Sequence, residues 1–421
     1  MNLAAEVEQY LPQHILKLVK NTSRLAYLSE QGLYLVGGVV RDLLLNHPNF
    51  DLDLVVEGDA VMLARQLAEA TQAKLATHPQ FSTAKLTCAD FTIDIATARE
   101  ETYARPGALP TITPGTLNDD LRRRDFSINA MAISLIPSSY GELIDPYHGK
   151  DDLEQQLIRI LHPKSFQNDA TRILRAIRYE QRLGFNLETR TARLLKESIS
   201  MLDTVSSDRI RHDLEVILRE QYPEQALHRL DELGVLSRIG LPLEGGKHLA
   251  ENFEKARALN KPGQLPSLYL CLAIYPLSQG ENEQLVHRLN IPKKLARTLH
   301  DTLELKAHLP LLNKPSLKRS AIYYLLKDYE PLAIQANVLA SEFATACYHL
   351  NLFLNELRYI KPYSSGDDLA KLGVPSSPEA GKLLEKLLRA KLDGEIKTKE
   401  EEIELAITIK TTKARSERSE N

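Results

Sequence analysis

Residues 33–57, LYLVGGVVRDLLLNHPNFDLDLVVE, constrain the fold of this chain more than any other stretch. The LYLV segment at 33–36 reads as a short buried strand. Gly37-Gly38 supplies a turn whose backbone can approach a ligand closely, and the run from Val39 to Leu45 reads as a helix. A second strand then carries Asp51 and Asp53. Side chains alternate along a strand, so both carboxylates leave one face while Leu52 and Leu54 leave the other. Two acids on one strand edge repel each other unless a cation lies between them. A glycine turn opening a helix, with Arg41 one turn in, suits a phosphate. The pattern predicts a nucleoside triphosphate held by the amides of Gly37 and Gly38 and by Arg41, with Mg²⁺ bridging it to Asp51 and Asp53.

Alone, a glycine pair opening a helix is a common turn, and two acids on a strand are common surface decoration. Their conjunction is more specific, because one short helix links the two sites. The string GGVVRDLLL…DLDLVVEGD resembles the head of the class II tRNA nucleotidyltransferases, the CCA-adding enzymes, and their bacterial poly(A) polymerase relatives. A generic DxD glycosyltransferase would lack the GG-x-V-R-D element upstream.

The resemblance is strongest over residues 33–185 and extends more weakly to about residue 405. It implies an α+β chain: an N-terminal nucleotidyltransferase head, a polymerase-beta-like palm with a mixed sheet, followed by an all-α neck, body and tail. The corresponding boundaries are 1–162 for the head, 163–215 for the neck, 216–310 for the body and 311–410 for a tRNA-binding tail, with 411–421 disordered.

Within the head, residues 1–31 read as one or two amphipathic helices with Leu16, Val19 and Leu28 toward the core. Residues 74–88 alternate as a hairpin. In the strand FTIDIA (91–96) Asp94 shares a face with Thr92 and Ala96. It is a candidate third catalytic carboxylate that orients or deprotonates an attacking hydroxyl, or else an edge-strand acid. Between residues 98 and 121 the periodicity stops and prolines and glycines predict a long loop. The segment RRRDFSINAMA (122–132) then predicts entry into an apolar helix with Asp125 and Asn129 at i,i+4. Arg124 suits a triphosphate, and Asp125 and Asn129 suit ribose hydroxyls; RRDFSINAMA also resembles the family's second motif.

From residue 165 onward only helical patterns are evident. In NDATRILRAIRY (168–179), Asp169 and Arg172 are i,i+3 neighbours, and Arg175 and Arg178 continue at three-residue steps. Such a pair is often a surface salt bridge. Beside a nucleotide site it has base-reading chemistry: the carboxylate accepts from cytosine N4 or adenine N6, and the guanidinium donates to cytosine N3 or adenine N1. Uracil and guanine present the opposite polarity. The family motif is Glu-Asp-x-x-Arg, and this chain departs from it with Asn168 at the glutamate position. His212-Asp213 lacks the further ligands that a metal-phosphohydrolase centre needs. Lys293, Lys294 and Arg297 are either a solvated face or a contact to RNA phosphate. Residues 366–384 resemble the family's tail element, which faces the tRNA acceptor stem or elbow.

Composition adds limits. Hydrophobic residues make up 43% and charged residues 26%, with a formal net charge of −3, so any RNA-binding surface must come from local clustering. No apolar run is long enough for a membrane span, and Cys88, Cys271 and Cys347 are too widely spaced for a disulfide framework or zinc site, which points to the cytoplasm. Together the residues and the resemblance imply template-independent addition of C and A from CTP and ATP to the 3′ end of tRNA. An A-adding, a CC-adding or a poly(A)-adding enzyme remains open, as does a non-catalytic RNA-binding paralogue, against which both aspartates argue.

Overall fold

Asp53 and Asp94 are register partners on two parallel strands, Leu52–Glu57 and Thr92–Thr97, and this pairing organises the N-terminal half of the chain. The computed structural model describes residues 1–421 except 50, 72, 88–90, 244–245, 260–261, 373, 375–377 and 420–421; the side chains of 246–247, 262 and 412–419 also lie outside the description. Cys88 and part of the expected tail element therefore fall outside it. The described residues form two units, Met1–Ile239 and Gly240–Asn421.

In the first unit, α1 (Ala4–Tyr10) and α2 (Gln13–Leu28) precede β1 (Gly32–Val36), α3 (Gly38–Leu44), β2 (Leu52–Glu57) and α4 (Ala60–Thr71). A hairpin of β3 (Lys74–His78) and β4 (Thr83–Thr87) leads into β5 (Thr92–Thr97). A second hairpin, β6 (Arg99–Thr102) with β7 (Thr111–Pro114), precedes α5 (Leu117–Arg122). Then come β8 (Ala132–Ser134), β9 (Leu143–Ile144), α6 (Gly149–Glu154), β10 (Leu157–Ile158), α7 (Ser165–Asn168) and α8 (Arg172–Leu183). β11 (Asn186–Leu187), α9 (Thr189–Glu197), α10 (Ser207–Leu218), α11 (Pro223–Glu232) and α12 (Val235–Ile239) complete the unit.

The main sheet runs β3-β4-β5-β2-β1-β8-β9 among the described residues. β2 and β5 are parallel and the other neighbours antiparallel, so the sheet is mixed. Alternation along β2 has the expected sense: Leu52 and Leu54 are buried while Asp51 and Asp53 reach solvent. Leu117 and Leu121 of α5 pack with Val36, Val55, Ala98 and Ala132. Burying each leucine contributes about 2 kcal/mol, which fixes α5 against the strands that carry the acids.

Four expectations are corrected here. Leu28 is 70% exposed at the end of α2, whereas Leu16 and Val19 are buried. The stretch expected as a long loop after residue 98 contains the β6–β7 hairpin, whose strands REET and TITP are too polar to show alternation. A strand does follow residue 165, since β11 pairs in parallel with β10. The polar C-terminal segment expected to be disordered continues as helix to Ser419.

The second unit is helical throughout the described residues. It comprises α13 (Gly246–Leu259), α14 (Leu265–Ala273), α15 (Gln279–Arg288), α16 (Lys293–Leu312), α17 (Arg319–Leu326), α18 (Pro331–Ala340) and α19 (Ala344–Asn355). α20 (Gly366–Lys371), α21 (Pro378–Leu392) and α22 (Lys399–Ser419) follow. One core joins Leu305, Leu309, Ile322, Ile334, Leu350 and Phe353, and a smaller one joins Leu369, Leu383, Leu387 and Ala406. The buried Glu402 accepts from the amides of Tyr363 and Ser364, which pins the chain ahead of α20 to α22. Among the described residues no helix is long and apolar enough to cross a membrane.

Candidate active site

Gly37 has φ 75° and ψ −135°, a backbone state that only glycine tolerates at low cost. A Cβ placed there would lie 2.7 Å from Arg124 Nη1 and 3.7 Å from Asp53 Oδ2. The turn thus brings the first strand's end, the second strand's acid and the arginine after α5 around one bare Cα. Gly38 opens α3, and a Cβ on it would meet only ordinary contacts at 3.6 Å or more.

On the strand edge, Asp51 lies just before β2 with its amide donating to Asn49 Oδ1. Asp53 faces Asp94 in register, and Lys85 of β4 donates to Asp94 Oδ2 at 3.0 Å. Loss of hydration among the surrounding groups pushes the Asp53 carboxyl up to about 6; Arg124 opposes the rise, and the charges of Asp94 and Asp51 add to it. A cation here would relieve that crowding. Among the described residues no three His, Cys, Asp or Glu side chains converge as a complete metal cage. Mg²⁺ takes one or two carboxylates and completes its shell with water and substrate phosphate. Asp51 and Asp53 therefore fit such an ion, with Asp94 alongside.

Three consecutive arginines leave the end of α5, and one buried carboxylate sorts two of them. Asp120 Oδ1 accepts from Arg123 Nε and Nη2, and its Oδ2 accepts from Arg124 Nη2 at 2.9 Å. Arg124 keeps Nε without a hydrogen-bond partner among the described residues. α5 itself is held at its start by a Thr116–Asp119 capping box and by Glu57 of β2, which accepts from the Leu117 amide at 2.7 Å and from Tyr34 Oη. Arg123 also reaches Glu101 on β6, a carboxylate shared with Arg99 and Tyr103. Neither Asp120 nor Glu101 is singled out by the sequence, because the roles of both depend on partners brought in by folding.

Asp125 and Asn129 meet as expected, Asn129 Nδ2 donating to Asp125 Oδ1 at 2.9 Å, although no α-helix carries them. Phe126 is extended and only a 3₁₀ turn, Ser127–Asn129, follows. Burial alone would raise the Asp125 carboxyl, but Arg175 at 2.7 Å and the Asn129 hydrogen bond outweigh it and hold it low. Asp125 in turn raises the Arg175 guanidinium.

Arg41 is corrected. It is 2% exposed, donates from Nε and Nη2 to Asp42 and from Nη1 to Asn129 Oδ1 at 2.7 Å, and lies over the Tyr179 ring. Its donors are spent inside the protein, so it orients Asn129 and does not line the nucleotide-sized cavity. Arg178 is likewise turned away, stacked on Tyr179 and near Glu220.

The base-reading pair is present in altered form. α8 begins at Arg172, and Asp169 lies in the break after α7 with φ −145°. Its carboxylate accepts from the Thr171 amide and hydroxyl, a local bond that competes with helix continuation. Asp169 pairs with Arg209 of α10 at 2.7 Å. Arg172 is anchored separately, Nη1 to Ser165 Oγ at 2.6 Å and Nη2 to the Arg123 carbonyl at 2.6 Å. The sequence carries no local sign of Arg209, since its partner lies in another helix.

These groups surround one cavity of about 390 Å³. Its lining includes Gly37, Gly38, Asp53, Arg124, Asp125, Asn129, Asp169, Arg172, Arg175, Tyr179 and Arg209. Its volume falls within the range of small-molecule sites. Within this lining Asp53 lies by the glycine turn, Asn129 is bonded to Asp125, and Asp169 is paired with Arg209.

Comparison with known proteins is consistent with this geometry. Residues 33–159 match the family described as Poly A polymerase head domain, and residues 184–241 match the one described as Probable RNA and SrmB-binding site of polymerase A. An A-adding tRNA nucleotidyltransferase of Halalkalibacterium halodurans is 34% identical over 96% of this chain and 95% of the relative. Another, from Geobacter sulfurreducens, is 32% identical over 96% of this chain, which spans about half (48%) of that relative's length. The solved structure of a CCA-adding enzyme in an apo form superposes with a TM-score of 0.80 at 30% identity, covering 97% of this chain and 99% of the other.

Proposed function

Because this chain belongs to the tRNA nucleotidyltransferase family, we propose that it adds C and A nucleotides from CTP and ATP to the 3′ end of tRNA without a nucleic-acid template. The observation that carries this reading is the cavity in which Asp53, Arg124, the Asp125–Asn129 pair and the Asp169/Arg172 end meet.

In this reading the 3′-hydroxyl of the RNA attacks the α-phosphorus in line. The new O3′–P bond forms as the bond to the bridging oxygen breaks, and pyrophosphate leaves. Mg²⁺ on Asp51 and Asp53 would neutralise the triphosphate and favour ionisation of the hydroxyl. Arg124, which lines the cavity with Nη1 beside the glycine turn, carries the triphosphate, and the turn leaves space for the phosphates to come close. Asp94, with one oxygen already on Lys85, uses the other to accept the hydroxyl proton. Asp125 accepts a ribose hydroxyl and Asn129 orients it. Asp169 and Arg172 read the amino face of C or A. Arg175 holds Asp125, and Arg41 serves from behind through Asn129. The compartment in keeping with this substrate is the cytoplasm.

A second reading, addition of the terminal A alone, is favoured by the two A-adding relatives that align along 96% of the chain. The test is incubation of the pure protein with tRNA lacking its last three, two or one nucleotides, with CTP, ATP, UTP or GTP singly and CTP with ATP together. Extension of all three substrates by CTP and ATP supports the first reading. Extension of only the one-nucleotide-short tRNA, by ATP, supports the second. No extension of any substrate overturns both.

A further inference from the structure

A second cavity, about 270 Å³ in volume, lies in the same unit and shares a wall with the first through Glu101, Tyr103, Arg123 and Arg172. Arg123 is paired with Asp120 and Glu101, but the other cations of this cavity are not neutralised by an ion pair among the described residues. Arg122, at the end of α5, and Lys164, ahead of α7, both reach solvent and form no ion pair with a described carboxylate; Arg172 bonds only a hydroxyl and carbonyls. His162 lies among the three, and its half-burial, together with Arg172, Arg122 and Lys164, holds its imidazole below the ordinary range. The acids at this cavity are largely committed elsewhere. Glu101 is shared by Arg99, Arg123 and Tyr103, and Asp119 caps α5 through Thr116, leaving only the exposed Glu100. Asn168 also faces the cavity. At this position the motif that the chain resembles carries a glutamate, so here an amide adds hydrogen-bonding capacity without negative charge.

We propose that this second cavity is a phosphate-binding site, formed by Arg122, Lys164 and the edge of Arg172, that takes a backbone phosphate of the RNA near its 3′ end while the first cavity holds the incoming nucleotide. The naming of RNA rests on the proposed function; the anion chemistry does not. Free inorganic phosphate offers the same chemistry and is the alternative source.

The test compares wild type with Arg122→Gln/Lys164→Gln, two solvent-exposed changes that leave the core intact. The full chain is first saturated with a non-reactive CTP analogue, so that the first cavity is filled. One arm titrates in a tRNA lacking its last two nucleotides, the other inorganic phosphate. An RNA phosphate predicts affinity for RNA lower by about tenfold, and a shallower salt dependence by about one to two units of slope, with CTP-analogue binding unchanged. Loss of phosphate binding with RNA affinity unchanged identifies a free anion as the ligand and still supports the site. If the double variant binds both ligands like wild type, the site is overturned. A wild type that extends no tRNA would sink the proposed reaction alone, because the phosphate arm reads the cavity independently.

Discussion

Asp169 is bound to Arg209, 2.7 Å away on α10, while Arg172 is held by Ser165 and by the Arg123 carbonyl. The two groups expected to read the base therefore have separate supports, and each can be loosened without touching the other. Replacing Arg209 by Ala should leave triphosphate binding nearly intact and free the Asp169 carboxylate to rotate. The ratio of UTP and GTP to CTP and ATP incorporation should rise about tenfold, the scale of one good bidentate contact. Single-nucleotide incorporation rates measure this. Equal slowing with all four nucleotides would mean that the pair is only a structural brace.

Asp53 gives a pH signature to the metal-free protein. Its carboxyl rises from the ordinary 3.8 to about 6 on folding, so the folded state binds this proton more tightly than the unfolded chain does. The stabilisation is complete below the unfolded value and is lost as pH rises through about 6. Thermal melts without divalent ions should show stability falling between these limits, and Asp53→Asn should flatten that slope. Mg²⁺ affinity should show the converse, weakening as pH drops below about 6, because the ion must displace the proton.

Asp120 is fully buried and holds two guanidinium groups at once. Asp120→Ala should lower stability by about 3 kcal/mol, as expected when a buried ion pair loses one partner. It should also reduce kcat at least tenfold by releasing Arg124. Asp120→Asn keeps the shape and part of the hydrogen bonding, and should fall between the two. Denaturant titration and steady-state kinetics separate the two effects. A kcat that survives Asp120→Ala would show that Arg124 needs no such support.

The two glycines of the turn should respond unequally. Gly37→Ala forces a strained φ, costing about 1–3 kcal/mol, and drives a methyl to within 2.7 Å of Arg124. Its kcat/KM should fall about a hundredfold. Gly38→Ala meets nothing nearer than 3.6 Å and sits at the first position of a helix with an ordinary φ, so activity should change less than about threefold. Comparable losses in both would mean that close backbone approach to the ligand, rather than the Arg124 contact, sets the requirement.

Much of the head was legible because its signals are local. The step from β1 through Gly37 into α3, and the buried–exposed alternation of Leu52, Asp53 and Leu54, follow from neighbours in the chain. Elsewhere long-range contacts decide. Arg41 was expected on phosphate, yet Asp42 beside it and Asn129 from a distant turn take its donors. Asp169 was placed on a helix, but its bond to Thr171 breaks that helix and Arg209 then claims the carboxylate. The β6–β7 hairpin escaped because polar strands carry no alternation, and its interior side is marked by Glu101, whose partners lie on other segments. Leu28, in the last turn of its helix, keeps the apolar period although no core lies beneath it.

The register in which Leu52 meets Ile93 and Asp53 meets Asp94 joins strands separated by α4 and the β3–β4 hairpin. A slip of one position would turn Asp94 into the core and expose Ile93 and Ile95, so the acidic edge exists only in one alignment. Turnover is therefore a reporter of folding as much as of chemistry. A parallel pairing across so much intervening chain forms slowly, after local helices and hairpins are in place. A refolding chain should therefore regain its helical signal before its acidic edge, and a partner that captured it between those moments would meet a folded surface with an inert centre.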